Sequence, residues 1–220
     1  MYGDLLSEYP VQTGSVWEFE RGRLVCGSAL NLANWVRIPK VQAVYTDPPW
    51  NDGNMKMFYN YAHREIEKSH MELILGIMRE IKDHTAPVST VTFDMGIKIT
   101  PRLLGELEKI GWMTGRVYTT YYGTPKRPCR TICGSFHELG IIELGIEGKH
   151  GINAIEGVMR AYKQAGYSAV LDPCCGKLDY LVSALEQGIP KVYGIELIPE
   201  KLALGLRRLE KLGFSVRRIQ

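Results

Sequence analysis

The stretch Val44-Tyr45-Thr46-Asp47-Pro48-Pro49-Trp50 sets one carboxylate beside two prolines and an indole. An ionised Asp only accepts hydrogen bonds, and the restricted φ of proline fixes the direction of a carbonyl acceptor beside it. Asp47 and the Pro48 carbonyl can together take both hydrogens of an exocyclic amino group on an aromatic base. Such a group is a poor nucleophile, because its lone pair is delocalised into the ring until something holds and turns it. Pro49 continues the turn, and Trp50 offers a flat face on which an extruded base stacks. The competing reading of these four residues is an Asp cap with prolines opening a helix.

A second stretch, Ala169-Val170-Leu171-Asp172-Pro173-Cys174-Cys175-Gly176, ends an apolar run in an acid and a glycine turn. Further on, Gly194-Ile195-Glu196 closes another apolar run with a carboxylate. This is the layout of a nucleotide-cofactor loop, in which the later acid accepts hydrogen bonds from ribose hydroxyls. Cys174 and Cys175 read as small buried filler rather than as a redox pair. A third group, Tyr121 and Tyr122 with Lys126, Arg127 and Arg130, combines stacking faces with cations suited to phosphate; its bland reading is a solvated turn.

These residues need strands to place them. The runs at 41–46, 88–94, 169–172 and 192–196 are short, apolar and β-branched, as buried parallel strands are. Helical spacing or helix punctuation predicts helices near 30–35, 64–84, 101–110, 152–164, 181–187 and 199–212. Runs at 16–20 and 23–26 form a hairpin, and runs at 112–122 and 131–138 form a long late hairpin with the three cations at its tip. Residues 51–63 read as an aromatic-rich loop beside the site, residues 1–14 as an arm, and 214–219 as a last strand. The alternation predicts one doubly wound, Rossmann-like α/β domain over 1–220, its sheet mostly parallel with one antiparallel hairpin.

Composition narrows the choice. With 220 residues, 45% hydrophobic and 23% charged, the chain can bury one sizeable core. It shows no long apolar run and no basic-then-apolar start, so the expected location is cytoplasmic, with no membrane partner. Five scattered cysteines argue for reduced thiols, and Cys129 and Cys133 lack the second pair that a zinc site needs; no metal is expected. A net charge of +3 permits nucleic-acid binding without demanding it.

Asp47-Pro48-Pro49-Trp50 resembles the catalytic motif of S-adenosylmethionine-dependent amino-methyltransferases, which modify adenine N6 or cytosine N4. The catalytic tetrapeptide comes first and the glycine loop last, the circularly permuted order of the β group of DNA amino-methyltransferases. Arg23-Leu24-Val25-Cys26-Gly27-Ser28 and Thr131 to Phe136 also resemble that group, so the likeness spans about Val16 to Leu212. It implies methylation of a DNA base, adenine N6 before cytosine N4, with S-adenosyl-L-methionine as cofactor and a prokaryotic or phage-infected cell as host. Asp172, Pro173, Cys174, Cys175, Gly176 and Glu196 would hold the cofactor; Tyr121, Tyr122, Lys126, Arg127 and Arg130 would meet the nucleic acid. Ser28 stands where the family has Asp, and Leu178 where it has a second glycine. A side chain at Leu178 either crowds the cofactor or sends the loop along another path. The stretch Leu139 to Tyr167 leaves little room for a large recognition region, so specificity falls to the hairpin tip or to the loop from Asn51 to His63, with a second copy or a partner subunit as a further candidate. The alternatives are the same chemistry on RNA or on another amine, and a catalytically silent binding module that has kept the fold.

Overall fold

The computed structural model describes residues 3–220. Its strands are β1 (Val16–Phe19), β2 (Gly22–Cys26), β3 (Val41–Thr46), β4 (Thr85–Met95), β5 (Met113–Tyr122), β6 (Arg127–Ser135), β7 (Ala169–Asp172), β8 (Lys191–Glu196) and β9 (Arg217–Arg218). They lie in one sheet in the order β5-β6-β4-β3-β7-β8-β2-β1-β9. The centre is parallel, and there Ala43, Val44, Tyr45, Val170 and Leu171 are buried under helices on both faces. The sheet as a whole is not mostly parallel. Pairs β4-β3, β3-β7, β7-β8 and β8-β2 run parallel, whereas β5-β6, β6-β4, β2-β1 and β1-β9 run antiparallel over more residues. The expectation of a single antiparallel hairpin is corrected at both edges: the β1-β2 hairpin joins the main sheet through β2 and takes β9 on its outer side, and β6 adds a long antiparallel ladder to β4.

The helices are α1 (Gly3–Glu8), α2 (Leu32–Trp35), α3 (Asp52–Tyr61), α4 (His70–His84), α5 (Thr100–Glu108), α6 (Ile152–Gln164), α7 (Asp179–Glu186) and α8 (Pro199–Lys211). One face of the sheet is covered by α1, α6, α7 and α8, through residues such as Leu5, Val158, Leu181 and Leu206. The other is covered by α2, α4 and α5, through Trp35, Ile74, Ile77 and Leu103. Several boundaries differ from expectation. The 1–14 arm contains α1, seated by buried Leu5, with buried Tyr9 and Val11 after it. The 51–63 loop is largely helical: Asn51 accepts from the Asn54 N–H as an N-cap, and Met55 anchors α3 to the core. α4 starts at His70 rather than Arg64, because Ser69 and Glu72 form a reciprocal capping box there.

The route of the chain creates the crevice. From β3 it passes through α4 to neighbouring β4 on one side, and from β7 through α7 to β8 on the other. Strand order therefore reverses between β3 and β7, and ligands of open α/β sheets bind outside the carboxyl ends of the strands at such a point.

Candidate active site

Asp47 follows β3, Asp172 ends β7 and Glu196 ends β8, so three parallel strands deliver three carboxylates to one edge of the sheet. They line a cleft of about 360 Å³ together with Gly27, Ser28, Pro49, Tyr59, Gly176 and Lys201. That volume lies within the range of small-ligand sites.

Around Asp47 the polar groups are already organised. The Trp50 indole N–H donates to Asp47 Oδ1 over 2.6 Å, and the Trp50 ring meets the Tyr122 ring edge-on with centroids 4.8 Å apart. Buried His70 lies with Nε2 2.5 Å from the Pro49 carbonyl, which can only accept, so Nε2 carries the hydrogen. The Pro48 carbonyl has no such partner among the described residues. The protein walls around Asp47 push its carboxyl upward, and the negative charge of Asp94 adds to this. Asp47 is nonetheless exposed to the cleft, and water there moderates the effect.

Asp94, near the end of β4, is buried and accepts from three hydroxyls: Thr131 at 2.5 Å on Oδ1, and Tyr180 at 2.5 Å and Tyr45 at 3.1 Å on Oδ2. Burial raises its carboxyl while the three donors oppose the rise. The Tyr45 and Tyr180 rings stack at 4.1 Å, and Tyr180 lines the cleft, so this buried acid holds part of the cleft wall in place.

The Asp172 to Gly176 loop is tied back on itself. Asp172 Oδ1 accepts from the Cys174 N–H at 3.0 Å, and burial pushes its carboxyl up to about 7. Glu196 accepts from the Gly176 N–H at 2.6 Å with one oxygen and from the Ile198 N–H at 2.8 Å with the other. Each carboxylate oxygen can accept more than one hydrogen bond, so Glu196 can hold the loop and still meet a ligand. A Cβ on Gly176 would meet nothing within 4 Å, which leaves its backbone open to close approach. Cys174 and Cys175 are thiols, pushed upward by burial and by the adjacent carboxylates.

Leu178 settles the question its side chain raised. It adopts φ +69, the left-handed conformation that favours glycine, and its side chain is fully buried on the α8 side. A Cβ on Gly205 of α8 would sit 2.5 Å from Leu178 Cγ, so the missing side chain of Gly205 makes the room that Leu178 fills. The loop thus keeps a glycine-like path, and Leu178 does not line the cleft.

No protein-family model matches the sequence, and no curated protein is significantly similar to it. Solved structures do match. TTHA0409 of Thermus thermophilus, a proposed DNA modification methylase solved with S-adenosyl-L-methionine, superposes with a TM-score of 0.63 at 14% identity, over 86% of this chain and 93% of that one. M1.HpyAVI in its SAM complex gives 0.61 at 12%, over 86% and 98%. The cytosine-N4-specific PvuII DNA methyltransferase gives 0.62 at 13%, over 84% and 85%. The chain shares the fold of these three proteins.

Within this fold the late hairpin departs from expectation. β6 begins at Arg127, so only Gly123 to Lys126 form the tip, and Arg127 and Arg130 stand on the strand. Three residues apart, they point to opposite faces of the sheet. Arg130 is tied to Thr119 Oγ1, while Lys126 and Arg127 are exposed. Tyr122 reaches Trp50, but the backbone of Tyr121 is bound to Lys149 and Gly151. Asp94, Tyr180 and Lys201 went unread. Asp94 had a signal, since β4, like β3, β7 and β8, runs into an acid at its carboxyl end. Lys201 had none; its Nζ sits 4.1 Å from the Phe58 ring centroid and bridges α8 to α3 across the cleft.

Proposed function

We propose that this chain is an S-adenosyl-L-methionine-dependent DNA amino-methyltransferase of the permuted β group, acting on adenine N6, with cytosine N4 as the second candidate. The observation that carries the reading is the meeting of Asp47-Pro48-Pro49-Trp50 with the Asp172 to Gly176 loop and Glu196 on one cleft at the reversal of strand order. The methyltransferase fold, shared with proteins solved with S-adenosyl-L-methionine, supports it.

The residues present fit the cofactor. Gly176 leaves its backbone open, Leu178 stays out of the cleft, and Asp172 and Glu196 offer acceptors for an ammonium and for ribose hydroxyls, with Pro173, Cys174 and Cys175 forming the wall between. When bound, S-adenosyl-L-methionine supplies an electrophilic methyl group on its sulfonium. Asp47 accepts one hydrogen of the target amino group and the Pro48 carbonyl the other, since the Pro49 carbonyl is already taken by His70. This holds the lone pair out of conjugation. The Trp50 indole bonds Asp47 Oδ1 alone, so Oδ2 can meet the amino group, and the Trp50 ring, with Tyr122 against it, offers the face on which the base stacks. Catalysis on this reading is mostly positioning, with no covalent enzyme intermediate.

The chain is read as one domain without a large recognition region, so a second copy or a partner subunit remains a candidate for completing the DNA contacts. No helix among the described residues is long and apolar enough to cross a membrane. A cytoplasmic site of action is part of the proposal. The test is incubation with labelled cofactor and DNA, followed by nucleoside analysis. Labelled N6-methyladenine is the expected product, N4-methylcytosine would move the target base, and no transfer to DNA or RNA with intact cofactor binding would favour a silent binding module.

A further inference from the structure

Beside the hairpin tip, Lys126, Gly148, Lys149, His150, Asn153, Glu156 and Arg160 line a shallow groove of about 430 Å³, separate from the catalytic cleft. Three of these residues are lysine or arginine and one is an acid, a dense concentration for a chain of net charge +3. Among the described residues no ion pair engages Lys126, Lys149 or Arg160, although Glu156 lies one helical turn from Arg160. Their charges are available to a ligand.

The groove is fixed to the site by backbone. The Tyr121 N–H donates to the Lys149 carbonyl at 2.9 Å, the Gly151 N–H donates to the Tyr121 carbonyl at 2.8 Å, and His150 Nε2 lies 2.9 Å from the Gly123 carbonyl. The residue after Tyr121 is Tyr122, whose ring touches Trp50. The groove is therefore tied by backbone to the strand that carries Tyr122 against Trp50.

We propose that this groove binds the phosphodiester backbone of the nucleic acid next to the target base, with Lys126, Lys149 and Arg160 as the phosphate contacts. The inference rests on the DNA-methyltransferase reading of the cleft. It sets aside Arg127 and Arg130, which do not line the groove, and brings in Lys149 and Arg160 from outside the hairpin. Each contact orients the strand without reading its sequence, which suits the short stretch between the hairpin and the cofactor loop.

The test uses the full chain and a short fluorescein-labelled DNA, duplex and single-stranded, with affinity measured by anisotropy against salt. Lys149→Ala/Arg160→Ala should weaken binding at least tenfold at low salt and flatten the slope of log affinity against log salt by about 1.4 to 1.8. A control of equal charge loss, Arg79→Ala/Lys211→Ala on exposed helix positions, should leave the slope unchanged. An unchanged slope in the groove variant, equal losses in both double variants, or no DNA binding by the wild type would each overturn the groove. Calorimetry with S-adenosyl-L-methionine and the methyl-transfer assay separate the two readings. Groove-dependent DNA binding without any methyl transfer would sink the enzyme reading and leave the groove standing, whereas methyl transfer with an indifferent groove would do the reverse.

Discussion

The Trp50 indole N–H is bonded to Asp47 Oδ1 over 2.6 Å, so the aromatic ring of the tetrapeptide sits on one of the two oxygens that can meet a substrate amino group. Trp50→Phe removes that competitor while keeping a flat face. It should retain much of the methyl transfer, whereas Trp50→Ala should weaken capture of the base by about 1 to 3 kcal/mol through lost stacking. Steady-state kinetics on DNA, with the loss appearing mainly in KM for the Ala variant, provide the check.

Asp47→Ala should lower kcat by about a hundredfold to a thousandfold, as removal of other positioned electrostatic groups does. Cofactor affinity measured by calorimetry should barely change, because Asp172 and Glu196 come from other strands. Wild-type transfer by this variant would reduce the tetrapeptide to a capped strand end.

Glu196 joins Gly176 and Ile198 through two charge-assisted hydrogen bonds, each of a kind worth about 1.5 to 3 kcal/mol. Glu196→Ala should therefore lower the melting temperature as well as weaken S-adenosyl-L-methionine binding, and Glu196→Gln should recover part of both. Loss of affinity with unchanged melting would mean that the loop does not depend on this carboxylate.

Two pH dependences follow from the buried acids. Asp172 titrates near 7 in the folded protein, above its unfolded value, so between about pH 4 and 7 the folded state binds more protons and stability falls as pH rises. Asp172→Asn should flatten that decline in denaturation series across the same window. The charge of Asp94 helps to raise Asp47, whose ionised form is the acceptor, so transfer should fall away on the acid side. Asp94→Asn should move that limb to lower pH; a limb that stays in place would limit Asp94 to holding Tyr45, Tyr180 and Thr131.

The parts of the fold legible in the sequence are those set by burial on both faces. The 41–46, 152–164 and 169–172 segments emerged with their bounds, because continuous apolar runs or clear helical periods left no competing pattern. α3 was obscured by Gly53 and two asparagines; it depends on a side-chain cap and one buried methionine instead of an apolar stripe. The extent of β6 was hidden by Pro128, which sits near a strand end where a proline is tolerated. At the site, Asp47, Asp172 and Glu196 could be read because each closes a strand inside a motif, before Pro48-Pro49-Trp50, before the Gly176 turn and after Gly194, whereas Asp94 closes a strand in none. Asp94 became meaningful only with its three hydroxyl donors, which come from β3, β6 and α7.

Leu178 and Gly205 have a consequence for how such sequences diverge. Gly205→Ala alone would press a methyl group into Leu178 and cost about 1 to 3 kcal/mol, while Leu178→Gly alone would relax the backbone and leave an empty socket under α8. Each single step is penalised, and the pair is tolerated together. Descendants of this chain should change the two positions jointly, so that a glycine gained at 178 is accompanied by a side chain gained at 205, and a motif scan requiring glycine at 178 would pass over every member that keeps the Leu178 and Gly205 pair.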